Sequence, residues 1–479
     1  MQKRAISEHV VQEFRSVLAP DAVLTSATDC TTYECDAYTI ERQAPDIVLL
    51  PSTREQVVAI VGICHREQLP FTPRGAGTSL AGGSVPVGGG VMICLTRMNK
   101  ILEVDLRNRF AIVEPGVVNQ WLTNRIAKDG FHYAPDPSSQ SACTIGGNVA
   151  TNSGGPHTLK YGVTVNHVLG VEMVLPDGNV VQFGGTAGPP AGLDLAGLIV
   201  GSEGTLGICT RVWVRITRNP QATRTLLGVF NTVDDASQTI SDIIAAGIVP
   251  AALEMMDQLI IQAVEEAFHF GFPLDAAAVL IMEVDGIEAG MADLVDQIAE
   301  IANRNNAREV RRARDESERA ALWKCRKKAF GAIGRLSPSL CCQDGVVPRS
   351  KLPQMLRFIA ETGAKHMLRI ANVFHAGDGN MHPILLFDER DPAQVDRVIA
   401  ASHDILQECL DQGGSVTGEH GIGIEKLSFM ERMFTKADLT TMEKIRTTFN
   451  PFGLCNPNKM LPTSGHCVES SLPAVRRAV

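Results

Sequence analysis

Pro73-Arg74-Gly75-Ala76-Gly77-Thr78-Ser79-Leu80-Ala81-Gly82-Gly83-Ser84 is the stretch on which the reading of the fold turns. Closely spaced glycines free backbone amides to point inward around an anion, and Thr78 and Ser79 add hydroxyl donors, which suits the loop to a pyrophosphate. Two commoner designs are excluded. The dinucleotide-binding βαβ fingerprint needs a third glycine opening a long helix, and Ala81-Gly82-Gly83 breaks one. A nucleotide-triphosphate loop needs Gly-Lys-Ser or Gly-Lys-Thr, and the loop has neither.

Upstream, residues 1–44 read as a helical lead, with a helix over Ser7–Leu18. Ile47–Leu50 then reads as a buried strand, and Glu55–Glu67 as a helix with Ser52 at its cap. Downstream lies a second small-residue region, from Ala134-Pro135-Asp136-Pro137-Ser138-Ser139 to Thr144-Ile145-Gly146-Gly147-Asn148 and Asn152-Ser153-Gly154-Gly155. Such a backbone can approach a large planar ligand closely while Ser, Thr and Asn satisfy its polar edges. A third glycine-framed turn, Gly201–Ile208, precedes a strand over Thr210–Ile216. Beyond Arg218 the text becomes α+β, with helices expected over Thr232–Ala246 and Met291–Ala302 and a strand over Ala278–Val284, and the pattern repeats loosely later.

The later region carries a different chemistry. Asn372-Val373-Phe374-His375-Ala376-Gly377-Asp378-Gly379-Asn380-Met381-His382-Pro383 reads as two apolar strands around a Gly-Asp-Gly turn, a hairpin that brings His375 and His382 together. Gly418-Glu419-His420-Gly421 adds a carboxylate and a third imidazole. His375, His382 and Glu419 make a three-ligand divalent metal site with a position left for substrate. His420 is then free to move a proton near neutral pH. Asp378 reads as a turn former rather than an acid.

Composition limits the alternatives. The chain has 479 residues, 44% hydrophobic and 20% charged, with formal charge -9, which argues against nucleic-acid binding. No apolar run is long enough to span a bilayer, and Met1–Phe14 lacks the unbroken apolar core of a secretory signal. Twelve cysteines without a Cys-x-x-Cys encode no iron-sulfur cluster, and a reduced, cytoplasmic setting is expected.

Taken in order, the Pro73 loop, Pro135–Gly155, Gly201–Ile208, the His375–His382 hairpin, Gly418–Gly421 and Asn456-Pro457-Asn458-Lys459 resemble the FAD-linked D-2-hydroxyacid dehydrogenases of the vanillyl-alcohol-oxidase superfamily. The resemblance runs from about residue 45 to 462. Within it, Leu253-Glu254-Met255-Met256-Asp257 and Phe330–Pro338 look most like the glycolate oxidase branch. It implies an α+β protein: a PCMH-type FAD-binding domain over 45–218, an α+β, ferredoxin-like cap with the metal site over 219–430, and a segment over 431–479 returning to the FAD domain. FAD contacts would come from Arg74, Gly75, Ala76, Gly77, Thr78 and Ser79, from Pro135, Asp136, Ser138 and Ser139, from Gly146, Gly147, Asn148, Gly154 and Gly155, and from Ile208 and Asn456. Some members attach flavin covalently to a histidine where this chain has Thr78 and Ser79, so a non-covalent cofactor is expected.

The resemblance also assigns Arg326 to the substrate carboxylate. Relatives that take D-2-hydroxyglutarate have a lysine near the position of Cys341-Cys342-Gln343, so its absence here favours a small monocarboxylate, glycolate or D-lactate. The expected reaction is oxidation to the 2-oxo acid, with His420 as base, Asn380 bonding substrate, and the metal, zinc first with iron or manganese also suited, polarising the hydroxyl. A second FAD-type subunit and an iron-sulfur subunit would pass electrons to the quinone pool and tether the protein peripherally at the inner membrane. The competing readings are a stand-alone D-lactate or other D-2-hydroxyacid dehydrogenase and a non-catalytic flavin-binding assembly subunit.

Overall fold

The apolar runs between the glycine loops become the strands of a first domain, in a computed structural model that describes residues 6–187 and 192–462. Ile47–Leu49, Val91–Cys94 and Phe71–Arg74 pair in parallel, with Val23–Leu24 antiparallel at one edge. Parallel strands of one sheet need a crossover, and the helix Arg54–Arg66 carries the chain from Ile47–Leu49 to Phe71–Arg74, on the far side of Val91–Cys94. Its cap is Thr53, whose side chain accepts from the Gln56 amide. The expected cap, Ser52, lies one residue too early and gives its hydroxyl to the Gln56 side chain instead. The lead helix Glu8–Val17, capped by Ser7, packs Val10, Val11 and Phe14 into the same core. Leu454 and Cys455 enter that core from the far end of the chain, where Cys455 bridges to Phe71.

An antiparallel five-stranded sheet completes this domain, in the order Ile101–Asp105, Phe110–Val113, Ile208–Arg215, Val168–Val174, Val180–Gly184. Residues 1–5 of the expected lead and 463–479 of the expected C-terminal segment lie outside the described residues.

The second domain contains seven principal strands: β1 (Ala222–Phe230), β2 (Ala252–Asp257), β3 (Ala278–Gly286), β4 (Glu309–Arg312), β5 (Ser339–Cys342), β6 (Arg369–His375) and β7 (Asn380–Phe387). Its helices are α1 (Val233–Ala245), α2 (Gln258–Phe268), α3 (Met291–Arg304), α4 (Glu316–Ile333), α5 (Leu352–His366) and α6 (Pro392–Asp411). All seven strands join one antiparallel sheet in the order β4-β1-β3-β2-β6-β7-β5. The first four strands, with α1 and α3, have the ferredoxin-like order. β5, β6 and β7, with α5 and α6, repeat it in mirror order without the fourth strand. The loose repeat in the sequence is therefore two related halves, joined where β2 meets β6.

Alternation sorts the side chains between two faces. Leu253, Met255, Phe374 and Met381 face α1, α3, α5 and α6, while Met256, Val373 and Ile384 face α2 and α4. His375 and His382 share the second face. Among the described residues, no helix is long and apolar enough to cross a membrane.

Candidate active site

Strand register places the two imidazoles. His375 pairs with Asn380 and Val373 with His382, so the histidines stand diagonally on one face, ring centroids 5.0 Å apart. Gly379 closes the turn at φ +83°, where a Cβ would lie 2.2 Å from the Val347 carbonyl oxygen. Asp378 accepts from the Asn380 amide at 3.1 Å, the turn-forming bond expected of it.

Glu419 comes from a separate loop, and its Oε1 lies 3.2 Å from Nε2 of both His375 and His382. Asp344, fully buried, holds that loop. It accepts from the Thr417 hydroxyl at 2.6 Å and from the amides of Gly418, Glu419 and His420 at 3.0, 3.1 and 2.8 Å. Asp344 also converges with His382 and His420, but its oxygens already serve the loop.

The remaining ring nitrogens fix the donor directions. His375 Nδ1 is 2.8 Å from Glu254 Oε1, and His382 Nδ1 is 3.2 Å from the Gln343 carbonyl oxygen. Both Nδ1 atoms face acceptors and must carry the proton, so each neutral ring turns an Nε2 lone pair toward the Glu419 carboxylate. Two lone pairs and a carboxylate oxygen repel unless a cation or extra proton lies among them. Metal bonds of about 2.0–2.1 Å in a tetrahedron separate donors by roughly 3.3 Å, close to the spacing here. The donor set fits a divalent cation, with Glu254 and Gln343 as the outer partners that such ligands need. Burial opposes charge on both sides, yet Glu254 and Glu419 raise His375 well above an ordinary imidazole, and the two histidines hold Glu419 well below the usual carboxylate range. The attraction that keeps a proton on His375 is available to a metal ion instead.

His420 stacks on His382 with centroids 5.1 Å apart and planes 10° from parallel, and its Nδ1 is buried without a partner. Burial pushes its pKa down to about 4, below the near-neutral value expected from the sequence. The ring is therefore neutral at neutral pH and able to accept a proton.

Beside the cluster lies a cavity of about 460 Å³. Its walls include Arg74, Gly75, Ala76, Gly77, Thr78, Ser79, Ser138, Ser139, Gly146, Gly147, Asn148 and Ile208 from the first domain. Arg326, Lys327, Phe330, Cys342, Val373 and His382 close it from the second, with Glu419 and His420. A large polar ligand fits this cradle: Ser79 Oγ and Asn148 Nδ2 are buried there without partners, and a Cβ on Gly146 would lie 2.6 Å from Pro115 Cβ.

Five expected cofactor contacts do not line the cavity, because each serves the backbone around it. Pro135 gives its carbonyl to Asn119 Nδ2 at 2.9 Å, and Asp136 pairs with His157 at 2.8 Å. The Gly154 amide donates to Glu419 Oε2 at 3.1 Å, and Gly155, at φ +136°, would place a Cβ 2.5 Å from the Asp136 carbonyl oxygen. Asn456 Nδ2 donates to the carbonyls of Gly83 at 3.1 Å and Glu203 at 2.7 Å, clipping two glycine loops together. Gly154 and Gly155 line a separate cavity of about 190 Å³ with His375, Asp378, Asn380 and Glu419. Asn380, expected to bond substrate, faces this smaller cavity.

Arg326, 4% exposed on α4, is not a free cation, since its Nε lies 2.6 Å from Glu254 Oε2. Glu254 and Asp344 are the residues that sequence reasoning missed. Each is a carboxylate set in apolar strand text, Leu253-Glu254-Met255-Met256 and Leu340–Asp344. A carboxylate in such a setting is buried only with partners, and that was the available signal.

A cradle of dinucleotide dimensions against a His-His-Glu cluster and a buried arginine defines a two-domain, flavin-linked oxidoreductase. The chain belongs to the PCMH-type FAD-linked oxidases: residues 45–184 match the family described as "FAD binding domain" and residues 219–460 that described as "FAD linked oxidases, C-terminal domain". Glycolate oxidase subunit GlcD of Escherichia coli K12 is 44% identical over 447 residues, 93% of this chain and 90% of the relative. The Bacillus subtilis protein of the same name is 38% identical, over 95% of this chain and 97% of the relative. D-lactate dehydrogenase of Anaerostipes hadrus is 31% identical, over 96% and 98%. The fold is shared with p-cresol methylhydroxylase, with a TM-score of 0.80 at 18% identity over 94% of this chain and 96% of that one.

Proposed function

We propose that this chain is the catalytic subunit of a glycolate oxidase complex, oxidising glycolate, and D-lactate as well, to the 2-oxo acid. The observation that carries the reading is the place of His382, Glu419 and His420 on the wall of the FAD cavity, with His375 directly behind them. FAD, held without a covalent bond, supplies the hydride acceptor. A divalent cation at His375, His382 and Glu419, zinc foremost with iron or manganese suited to the same donors, supplies Lewis acidity at the substrate hydroxyl.

The chain's own residues do the rest. Arg326 pairs with Glu254 at its Nε and its Nη2 lies 3.5 Å from His375 Nδ1, so Nη1 is the nitrogen left to orient the substrate carboxylate. His420, neutral and with its Nδ1 unpartnered, takes the hydroxyl proton. Asn380 holds the Glu419 loop, since Gly418 packs so closely that a Cβ there would lie 2.5 Å from its Nδ2. Cys342 faces the cavity, whereas Gln343 turns away to Ser402 and Glu425 at 2.9 and 2.8 Å. Neither Cys342 nor Gln343 offers a cation to a second carboxylate, in keeping with a small monocarboxylate.

We take 45–218 as the FAD-binding domain, 219–430 as the cap, and 1–44 and 431–479 as lead and return segments. The Escherichia coli and Bacillus subtilis relatives are named as subunits, which supports a complex. The partners proposed are a second FAD-type subunit and an iron-sulfur subunit, with the protein cytoplasmic and peripheral at the membrane through them. The D-lactate dehydrogenase relative keeps a stand-alone enzyme as the second reading. Turnover of both substrates with and without an iron-sulfur partner separates the two.

Anaerobic titration with glycolate, D-lactate and D-2-hydroxyglutarate, read by flavin absorbance, tests the reaction. Bleaching by the two small acids is expected, and none by either overturns the proposal. His420→Ala should keep FAD and metal but lose bleaching; undiminished bleaching removes His420 as the base.

A further inference from the structure

We infer that Glu254 is a positioning residue whose single carboxylate sets both halves of the reaction centre, holding metal ligand His375 with one oxygen and Arg326 with the other. The inference rests on the metal reading proposed above.

The two halves of the cap meet at this residue. Register across the β2–β6 seam pairs Glu254 with His375, Met255 with Phe374 and Met256 with Val373, and the Ala376 amide continues the ladder to the Leu253 carbonyl at 2.9 Å. Directly opposed residues project to the same face, so backbone pairing alone delivers the Glu254 carboxylate to the back of the His375 ring. Oε1 then lies 2.8 Å from His375 Nδ1 and Oε2 2.6 Å from Arg326 Nε. The glutamate has no measurable exposure, so water is no alternative partner for either oxygen.

This geometry has a directional consequence. A hydrogen bond from Nδ1 fixes the tautomer and the rotation of the imidazole, which aims Nε2 at the point where Glu419 and His382 converge. The second oxygen holds Arg326 as a close ion pair without hydrogen-bond geometry, and Arg326 Nη2 lies 3.5 Å from His375 Nδ1, so the guanidinium is kept beside the same metal ligand. Distances between substrate carboxylate and substrate hydroxyl are short, and one rigid carboxylate spanning both recognition elements matches them to each other. A plain counter-ion for Arg326 would need only one of these contacts.

Zinc affinity, measured by competition with a chromophoric chelator on the FAD-loaded protein, tests this apart from activity. Glu254→Gln should weaken zinc by ~10–100-fold and lower kcat without raising KM, because Arg326 is left without its anionic competitor. The double variant Glu254→Gln with Arg326→Gln leaves no lone buried charge and carries the same zinc measurement should the single variant fail to fold. It too should bind zinc weakly. Zinc affinity restored to the wild-type value in the double variant makes Glu254 a counter-ion only and overturns the inference, as does unchanged affinity in the single variant. A wild-type chain no better at holding zinc than His375→Ala removes the metal reading itself.

Discussion

His157 of the first domain places Nε2 3.3 Å from Oε1 of Glu283 on cap strand β3, so one imidazole joins the two domains. Its Nδ1 meets Asp136 at 2.8 Å, while Glu283 also accepts from Trp323 Nε1 at 2.5 Å and from Thr225 Oγ1 at 2.6 Å. Trp323 lies one helical turn before Arg326 on α4, so the latch sets the helix that carries the arginine proposed to bind substrate. Burial alone would lower the His157 pKa, but Asp136 and Glu283 lift it to about 10. A raised histidine stabilises fully below its ordinary value of about 6.5, and that stabilisation is lost as pH rises through about 10. His157→Gln should therefore cost about 2 kcal/mol at neutral pH, with the deficit shrinking in strongly alkaline buffer. Thermal melts of both proteins at about pH 7 and about pH 10.5 check this, and a deficit independent of pH shows that charge is not the cause.

His375 separates metal loss from flavin loss. Of the three candidate ligands, His382 and Glu419 line the FAD cavity, whereas His375 lines only the smaller one. His375→Ala should lose the bound cation and about 10³-fold in kcat, equivalent to about 4 kcal/mol of transition-state stabilisation, while its flavin content stays at the wild-type level. Elemental analysis beside flavin absorbance decides the matter. Loss of both together means that the histidine supports the fold instead.

Much of this was legible because the chemistry is local. Gly379 and its two flanking strands write the His375–His382 hairpin into one short run of sequence, and the Pro73 loop carries its amide cradle in another. What escaped is long-range. Glu254 and His375 are 121 residues apart, and although the apolar setting of Leu253-Glu254-Met255 hints at a buried carboxylate, nothing in it names the partner until β6 is known to lie beside β2. Small residues mislead in the other direction. Gly155 and Asn456 have the composition of ligand contacts, yet one makes room for Asp136 and the other ties two loops. Thr53 replaced Ser52 as a helix cap for a similar reason, since the two candidates stand side by side and only backbone geometry chooses between them.

Two glycines should respond in opposite ways to the same substitution. Gly77 sits at φ +71° in the loop proposed to hold the cofactor, and its Cβ would fall 2.0 Å from Arg74 Nη2. Arg74 cannot easily move aside, because its Nη1 donates to the Cys35 carbonyl at 2.8 Å. Gly77→Ala should weaken FAD by about tenfold or more, the equivalent of about 1–2 kcal/mol of backbone strain. Gly62 lies inside the helix Arg54–Arg66, and a Cβ added there would meet nothing within 4 Å, so Gly62→Ala should stabilise by about 0.5–1 kcal/mol. FAD titration by fluorescence and thermal melts test the pair, and equal behaviour of the two variants contradicts the assignment of the Gly77 loop.

Flavin should leave the protein intact on denaturation, and the reason lies in the cysteines as much as in Thr78 and Ser79. Covalent attachment needs a nucleophile at the ring, and the cavity wall offers three thiols, Cys143, Cys209 and Cys342. A thiol attacks as the thiolate, which burial disfavours. Burial lifts Cys143 to about 11 and Cys209 to about 12, and burial with the neighbouring Cys341 and Asp344 raises Cys342 well above its ordinary value. All three are therefore protonated and inert at neutral pH, while Thr78 and Ser79 present hydroxyls that are weaker nucleophiles still. Acid precipitation of the yellow protein should leave the whole of the chromophore in the supernatant. Fluorescence retained in the washed pellet would mean that one of these groups, or the His420 imidazole on the same wall, has bonded to the flavin.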